Sequence, residues 1–294
     1  ILGAPEILAY NADVLNIHSD VEIIESPSEM ERAGVYALNP ASESPINIQP
    51  GKLSADAGRH AMLAIEKGIQ LCLAGDCDAL ITAPISKDAI QQAGYHVPGH
   101  TEFLTELTDT DEVLMTLVSE GLRVALVTAH IPISDVSQSL SPELILRKCR
   151  ILHESLKSDF GIVEPKIAVF GLNPHAGDGG VLGREEQEII EPAIKKLQAA
   201  GIQAEGPFPA DGFFGMASHR HYDAILAMYH DQGLAPFKAL SFGKGVNFTA
   251  GLPIIRTSPD HGTAFAIAGK GIADSSSFIQ ALTLGIQLAG RDHE

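Results

Sequence analysis

Cationic residues are scarce in this sequence: 20 Lys and Arg stand against 37 Asp and Glu, for a formal net charge of −17. That deficit argues against nucleic acid or an anionic membrane as partner, since both are held by excess positive charge. Cysteines are few and unpatterned. Cys72, Cys77 and Cys149 make neither an even framework nor a Cys-x-x-Cys pair. All three lie in or beside apolar or helical segments, as expected of reduced core thiols in a cytoplasmic protein. No apolar run is long enough to span a bilayer. The chain starts at Ile1 without a basic leader or cleavage pattern, so no secretory signal is expected. No G-x-G-x-x-G follows a strand, no G-x-S-x-G elbow occurs, and the closely spaced H-E-x-x-H metal motif is missing. What is present is ordinary globular material. At 294 residues, 45% hydrophobic and 19% charged, the chain can form two domains or one domain with a large insertion. An anionic substrate would need local basic groups to hold it against the overall field, so each Lys and Arg beside a polar loop matters.

Strand-like runs alternate with helical periodicity, which predicts an α/β fold. Short β runs are expected at 21–24, 35–38 and 79–82. Ser54 caps a helix reaching about Gly75, with Ala61, Met62, Ile65, Ile69 and Cys72 at helical spacing. Runs 113–118 and 123–128 read as a hairpin, and Ser141-Pro142 opens a helix ending near Gly161. Further strands are expected before Gly171, at 202–204 and at 224–228. Lys238 falls on a short helix and Asn247 on a strand-like piece. A last amphipathic helix spans 275–290. There is no internal repeat and no low-complexity linker. Lys87 lies in the loop TAPISK after the third run, where a surface role is the default.

The stretch GLNPHAGDGGVLGREE, 171–186, stands between a strand end and a charged helical segment at 184–200 closed by Gly201. A strand, a glycine-rich loop and a helix start place backbone N–H groups where an anion or polar ligand can sit. His175 lies in this loop, His130 follows the strand ending at Thr128, and His230 follows the strand ending at Met228. Strand ends in such a sheet converge on one edge. Three neutral imidazoles with an open position suit a divalent ion acting as Lewis acid, although each histidine alone is equally well a satisfied core or surface residue. Lys238, Asn247 and Arg256 form a spaced polar set able to grip phosphate or carboxylate, or else ordinary surface charge. Asp211 sits at a helix start before Gly and two Phe.

The segments GHTEF, VTAHIPISDV, LNPHAGDGG, ADGFF, MYHDQGLAPFKAL, GVNFTAGLP and RTSPDHGTAFAIAGKG occur in this order from Pro98 to the C-terminal region. They resemble the motifs of the 4-hydroxythreonine-4-phosphate dehydrogenase family. That family is similar in fold to the isocitrate and isopropylmalate dehydrogenases, which implies two α/β domains with a cleft between them. The implied division is 1–97 with 253–294 on the cofactor side, and 98–252 on the metal, substrate and dimer side. The resemblance implies His130, His175 and His230 as ligands of a divalent metal (zinc, or magnesium or cobalt). It also implies that these are shared across a homodimer interface. It implies His100, Thr101, Lys238, Asn247 and Arg256 as substrate-binding positions. Lys238 and Asp211 are the catalytic candidates, Asp211 for orienting a metal ligand or relaying a proton. The loop resembles the adenosine-side loop of the related dehydrogenases, which implies NAD contacts at His261, Gly262, Thr263, Ala264 and Gly269.

The implied reaction is NAD-dependent oxidation of 4-phosphooxy-L-threonine at C3, followed by loss of CO₂ to give 3-amino-2-oxopropyl phosphate on the route to pyridoxal phosphate. Rival readings are the same chemistry on erythronate or threonate 4-phosphate or on aromatic cis-dihydrodiols, an inactive metal-binding protein, and a metallohydrolase. Two departures from the family pattern stand out. Its members carry a strand and a glycine-rich loop ahead of the segment that starts here at Ile1, and the acidic residue common in the last loop is Ala266 here.

Overall fold

The computed structural model describes residues 1–18, 20–42 and 49–290. Helix α1 (Pro5–Leu15), with Pro5 in its first turn, closes on left-handed Asn16. Strands β1 (Val21–Ile24) and β2 (Val35–Leu38) pair in parallel as a small separate sheet. Helix α2 (Ala55–Ala74) starts where the Ser54 hydroxyl accepts from the Ala57 N–H, and stops at Gly75 with φ of 77°. The chain continues through β3 (Ala79–Ile81), α3 (Lys87–Gln92), α4 (His100–Leu107), β4 (Leu114–Ser119) and β5 (Leu122–Leu126). Next come α5 (Ile133–Ser139), α6 (Pro142–Ser158), β6 (Lys166–Phe170) and α7 (Glu191–Ala199). The remainder is β7 (Gln203–Phe208), α8 (Ala210–Gly215), β8 (Ala224–Ala227), α9 (His230–Ser241), β9 (Val246–Ala250), β10 (Ile255–Pro259) and α10 (Ser276–Ala289).

One eight-stranded sheet runs in the order β3-β10-β9-β4-β5-β8-β6-β7. Strand β9 is antiparallel to both β10 and β4, and β4 to β5; the other pairs are parallel. The central strands are buried on both faces, so they read as unbroken apolar runs. Alternate residues still serve different layers. Val124, Leu126, Ile225, Ala227 and Phe170 pack with Phe213 and Phe237 on one side. Ala125, Val127, Leu226 and Val169 pack with α6 and α7 on the other. A third cluster unites Met62, Ile65, Ile69, Leu80, Ile90, Phe103, Leu104 and Ile254.

The α/β expectation is met, and most predicted elements lie within a residue or two. The helices α1, α3 and α5 are additional, and Lys87 is the exposed first residue of α3. The segment predicted as one helix from 184 to 200 is instead a π-helical turn, Glu186–Ile190, feeding α7. Pro192 has no N–H for the Glu188 carbonyl, which breaks the regular ladder and favours the wider turn. All three cysteines are free thiols, and burial pushes Cys72 and Cys149 up to about 12, as unreactive thiols should be.

Candidate active site

Parallel pairing of β5 with β8 continues past both strands. The Val127 N–H donates to the Ala227 carbonyl at 2.8 Å, and the Thr128 hydroxyl to the Met228 carbonyl at 2.7 Å. The two chains therefore leave the sheet side by side, and the rings of His130 and His230 lie 5.9 Å apart, centre to centre. They line an open cavity of about 500 Å³ with Thr128, Tyr229 and Asp231. Nδ1 of His230 lies 2.7 Å from the Asp231 carboxylate. Two imidazoles sharing one tetrahedral zinc ion put their ring centres roughly 5 Å apart, given Zn–N near 2 Å. The spacing of the pair is within about 1 Å of that value.

His175 does not join them within one chain. Among the described residues, no three His, Cys, Asp or Glu side chains gather closely enough to hold a metal. His175 is exposed on a loop in which all six residues from His175 to Gly180 have positive φ. Three of these, His175, Ala176 and Asp178, carry side chains, each costing about 1–2 kcal/mol in that conformation. The expected anion position at this loop exists, but the chain fills it itself. Glu186 is 2% exposed, and its Oε1 accepts from the N–H groups of Leu172 at 2.7 Å and Asn173 at 2.8 Å.

The second constellation lies across β9, β10 and the end of β3. Register sets Thr257 opposite Phe248 and Ser258 opposite Asn247, bringing Arg256 beside Thr249. Arg256 is 3% exposed. Its Nε and Nη2 donate to the Thr82 hydroxyl at 3.1 and 2.7 Å, and its Nη1 to Thr249 at 3.1 Å. No acidic side chain pairs with it among the described residues. Burial lowers its guanidinium from 12.5 to about 10. His100 begins α4, and burial together with the Arg256 charge lowers it from 6.5 to about 3, so it is neutral at physiological pH. Its Nε2 is buried without a hydrogen-bond partner among the described residues. A buried cation facing neutral hydroxyls, next to an unpartnered imidazole, is an arrangement that an anion completes.

Lys238 lies eight residues beyond His230 on α9, about 12 Å along the helix. Its ammonium is 3.0 Å from the Asp260 carboxylate, tying α9 to the start of the 260–271 loop. In that loop Nδ1 of His261 lies 2.9 Å from the Gly262 carbonyl, Ala264 has a φ of 52° and Gly269 one of 72°. His261, Gly262, Thr263, Ala264 and Gly269 are all exposed, as is Thr101 beside His100. Asp211 is exposed in the first turn of α8 and makes no hydrogen bond or ion pair among the described residues. Its helix is anchored by Phe213, whose ring centre is 5.2 Å from that of Phe170 at the end of β6.

The structure thus unites His130 with His230, Arg256 with His100, and Lys238 with Asp260, while His175 and Asp211 stay apart. Thr82, Thr249, Glu186 and Asp260 escape sequence reasoning. The threonines look like ordinary strand residues, and Glu186 sits in an acidic run that reads as solvated. Asp260 did carry a signal, since it opens the DHGTAF loop.

The family model for pyridoxal phosphate biosynthetic protein PdxA matches residues 1–285. The chain is 47% identical over 289 residues to a 4-hydroxythreonine-4-phosphate dehydrogenase of Bacteroides thetaiotaomicron, spanning 98% of this chain and 79% of that one. The crystal structure of the Klebsiella pneumoniae 4-hydroxythreonine-4-phosphate dehydrogenase superposes with a TM-score of 0.91 at 38% identity, covering 98% of this chain and 88% of the other. A terephthalate 1,2-cis-dihydrodiol dehydrogenase from Burkholderia xenovorans is more distant, with a TM-score of 0.67 at 27% identity over 97% of this chain and 88% of its own.

Proposed function

The chain belongs to the PdxA family of pyridoxal phosphate biosynthetic proteins, and from that premise we propose that it oxidises 4-phosphooxy-L-threonine at C3 with NAD⁺. The β-keto acid so formed loses CO₂ to give 3-amino-2-oxopropyl phosphate. The observation that carries this reading is the buried, acid-free guanidinium of Arg256 beside neutral His100. In a chain of net charge −17 it is a local well for a phosphorylated acid.

Arg256, His100, Thr101 and Asn247 hold the anionic ends of the substrate and fix the C3 hydroxyl in place. Lys238 grips an anionic end too, and its ammonium is the group we assign to the proton that replaces CO₂. Asp211 is assigned to relaying a proton or orienting a metal ligand. His261, Gly262, Thr263, Ala264 and Gly269 would carry the NAD⁺ contacts on their exposed loop. His130 and His230 would hold a zinc, magnesium or cobalt ion, and His175 would come from the partner of a homodimer, since one chain does not gather all three. When bound, the ion supplies Lewis acidity at the C3 oxygen, while NAD⁺ is the hydride acceptor.

Residues 1–97 with 253–294 would form the cofactor side and 98–252 the metal and substrate side, with the cleft between. We place the enzyme in the cytoplasm. Among the described residues, no helix is long and apolar enough to cross a membrane.

The test follows NADH absorbance with NAD⁺, a divalent metal and 4-phosphooxy-L-threonine, with erythronate 4-phosphate and an aromatic cis-dihydrodiol in parallel. NADH from the threonine compound alone supports the proposal. Turnover of erythronate 4-phosphate alone keeps the anion well and moves the substrate. Turnover of the dihydrodiol alone removes the role given to Arg256.

A further inference from the structure

The carboxylate of Glu186 is buried, and no cation pairs with it among the described residues. Among the described residues, its hydrogen-bond donors all belong to the loop that carries His175. Beyond the two backbone N–H groups on Oε1, its Oε2 accepts from Nδ2 of Asn173 at 3.0 Å. The loop is wrapped tightly around it: a Cβ on Gly177 would lie 2.5 Å from Glu186 Oε2, and one on Gly171 3.1 Å from Oε1. At Gly177, whose φ is 81°, a side chain would be strained as well as crowded by the carboxylate, so the carboxylate and the turn specify each other.

Neighbouring side chains extend the same lattice to the other histidine-bearing segments. Glu185 accepts from Nδ2 of Asn173 at 2.8 Å and from the hydroxyl of Ser137 at 2.8 Å. Ser137 lies on α5, seven residues after His130. Gln232 on α9, two residues after His230, donates to the Gly171 carbonyl at 2.6 Å and accepts from the Met228 N–H at 2.7 Å. Gln187 donates to the Gly179 carbonyl at 3.0 Å, closing the far end of the left-handed run. The π-helical turn starting at Glu186 brings these consecutive side chains to the loop.

We infer that Glu186 is a positioning residue: it locks the left-handed turn that presents His175 to the partner of the homodimer, and with Glu185 and Gln232 it fixes that turn on two helices of its own chain, α5, which follows the segment bearing His130, and α9, which begins at His230. This rests on the reading of His175 as a metal ligand. The carboxylate acts through the loop backbone it holds, and outer groups that orient a ligand commonly alter metal affinity by about 10–100-fold.

The test titrates metal-free full-length protein with Co²⁺ and follows the visible d–d bands, with far-ultraviolet dichroism and thermal unfolding as controls. In Glu186→Gln, Oε1 is kept, but an amide N–H₂ now faces Nδ2 of Asn173, so the lock is lost at nearly constant volume. The expected result is a cobalt affinity lowered about 10–100-fold and an altered d–d spectrum. The kcat should fall while KM for the phosphorylated substrate stays put, because Arg256 and His100 are untouched. Glu185→Ala, at a half-buried position, should keep the fold and lower cobalt affinity several-fold, which keeps the test decisive if Glu186→Gln does not fold. His175→Ala is the reference. Loss of cobalt in His175→Ala, with wild-type affinity in folded Glu186→Gln and Glu185→Ala, overturns the positioning role alone. Unchanged cobalt binding in His175→Ala overturns the ligand reading and the inference with it.

Discussion

Replacing Arg256 by Met should separate stability from function. The guanidinium, drawn by burial from 12.5 to about 10, has lost on the order of 3 kcal/mol of support for its charge. Its three hydrogen bonds to Thr82 and Thr249 give back about 1 kcal/mol each. The two contributions nearly cancel, so a methionine of similar reach should leave the unfolding free energy within about 2 kcal/mol of wild type. Binding is not balanced in this way. Two charge-assisted bonds to a phosphate or carboxylate are worth about 3–6 kcal/mol together, so kcat/KM should fall by about 10²–10⁴-fold. Urea unfolding and initial-rate NADH formation on the same preparation measure both quantities. A folded Arg256→Met enzyme with kcat/KM within about fivefold of wild type would refute the anion well. Destabilisation of about 5 kcal/mol or more would show instead that the arginine holds the sheet together.

Acid should weaken the protein through His100, whose folded value is depressed to about 3. Its contribution is complete above pH 6.5 and is lost as pH falls towards 3, at up to about 1.4 kcal/mol per pH unit, because only the unfolded chain takes up the proton. Unfolding midpoints of His100→Asn between pH 4 and 6.5 should therefore fall less steeply than those of wild type; parallel curves would contradict the buried neutral imidazole. Asp260→Asn breaks a half-exposed ion pair, so stability should change by less than about 1 kcal/mol, while KM for NAD⁺ rises as the 260–271 loop loses its tie to α9. An unchanged KM would leave that pair without a role in cofactor binding. Asp211→Asn should keep cobalt binding and lose most turnover, and near-normal rates would remove Asp211 from the mechanism.

How much of this was legible in the sequence depends on how far each feature reaches along the chain. The helix from Ser54 to Gly75 could be read because its cap, period and stop all lie within it. The β4–β5 hairpin was legible for the same reason, with Gly121 at φ 72° in its turn. The three histidines stand out in the sequence because a strand end is a local signal: an apolar run followed by polar residues. The π-helical turn was missed although Pro192 was visible, because a proline in an amphipathic segment can also start, kink or end a helix.

The sequence by itself therefore determined the alternation of strands and helices, the apolar strands of the central sheet, and the placing of His130 and His230 just beyond them. Family resemblance added the order of the motifs. Only the tertiary structure decided which polar groups are buried. Arg256 and Thr82 lie 174 residues apart and meet because β10 pairs with β3. Glu186, one acid among several in a charged run, becomes the buried anion of the His175 loop only when the chain turns left-handed around it. Burial and partner choice for a charged side chain depend on which distant backbone closes over it, and local periodicity carries no record of that.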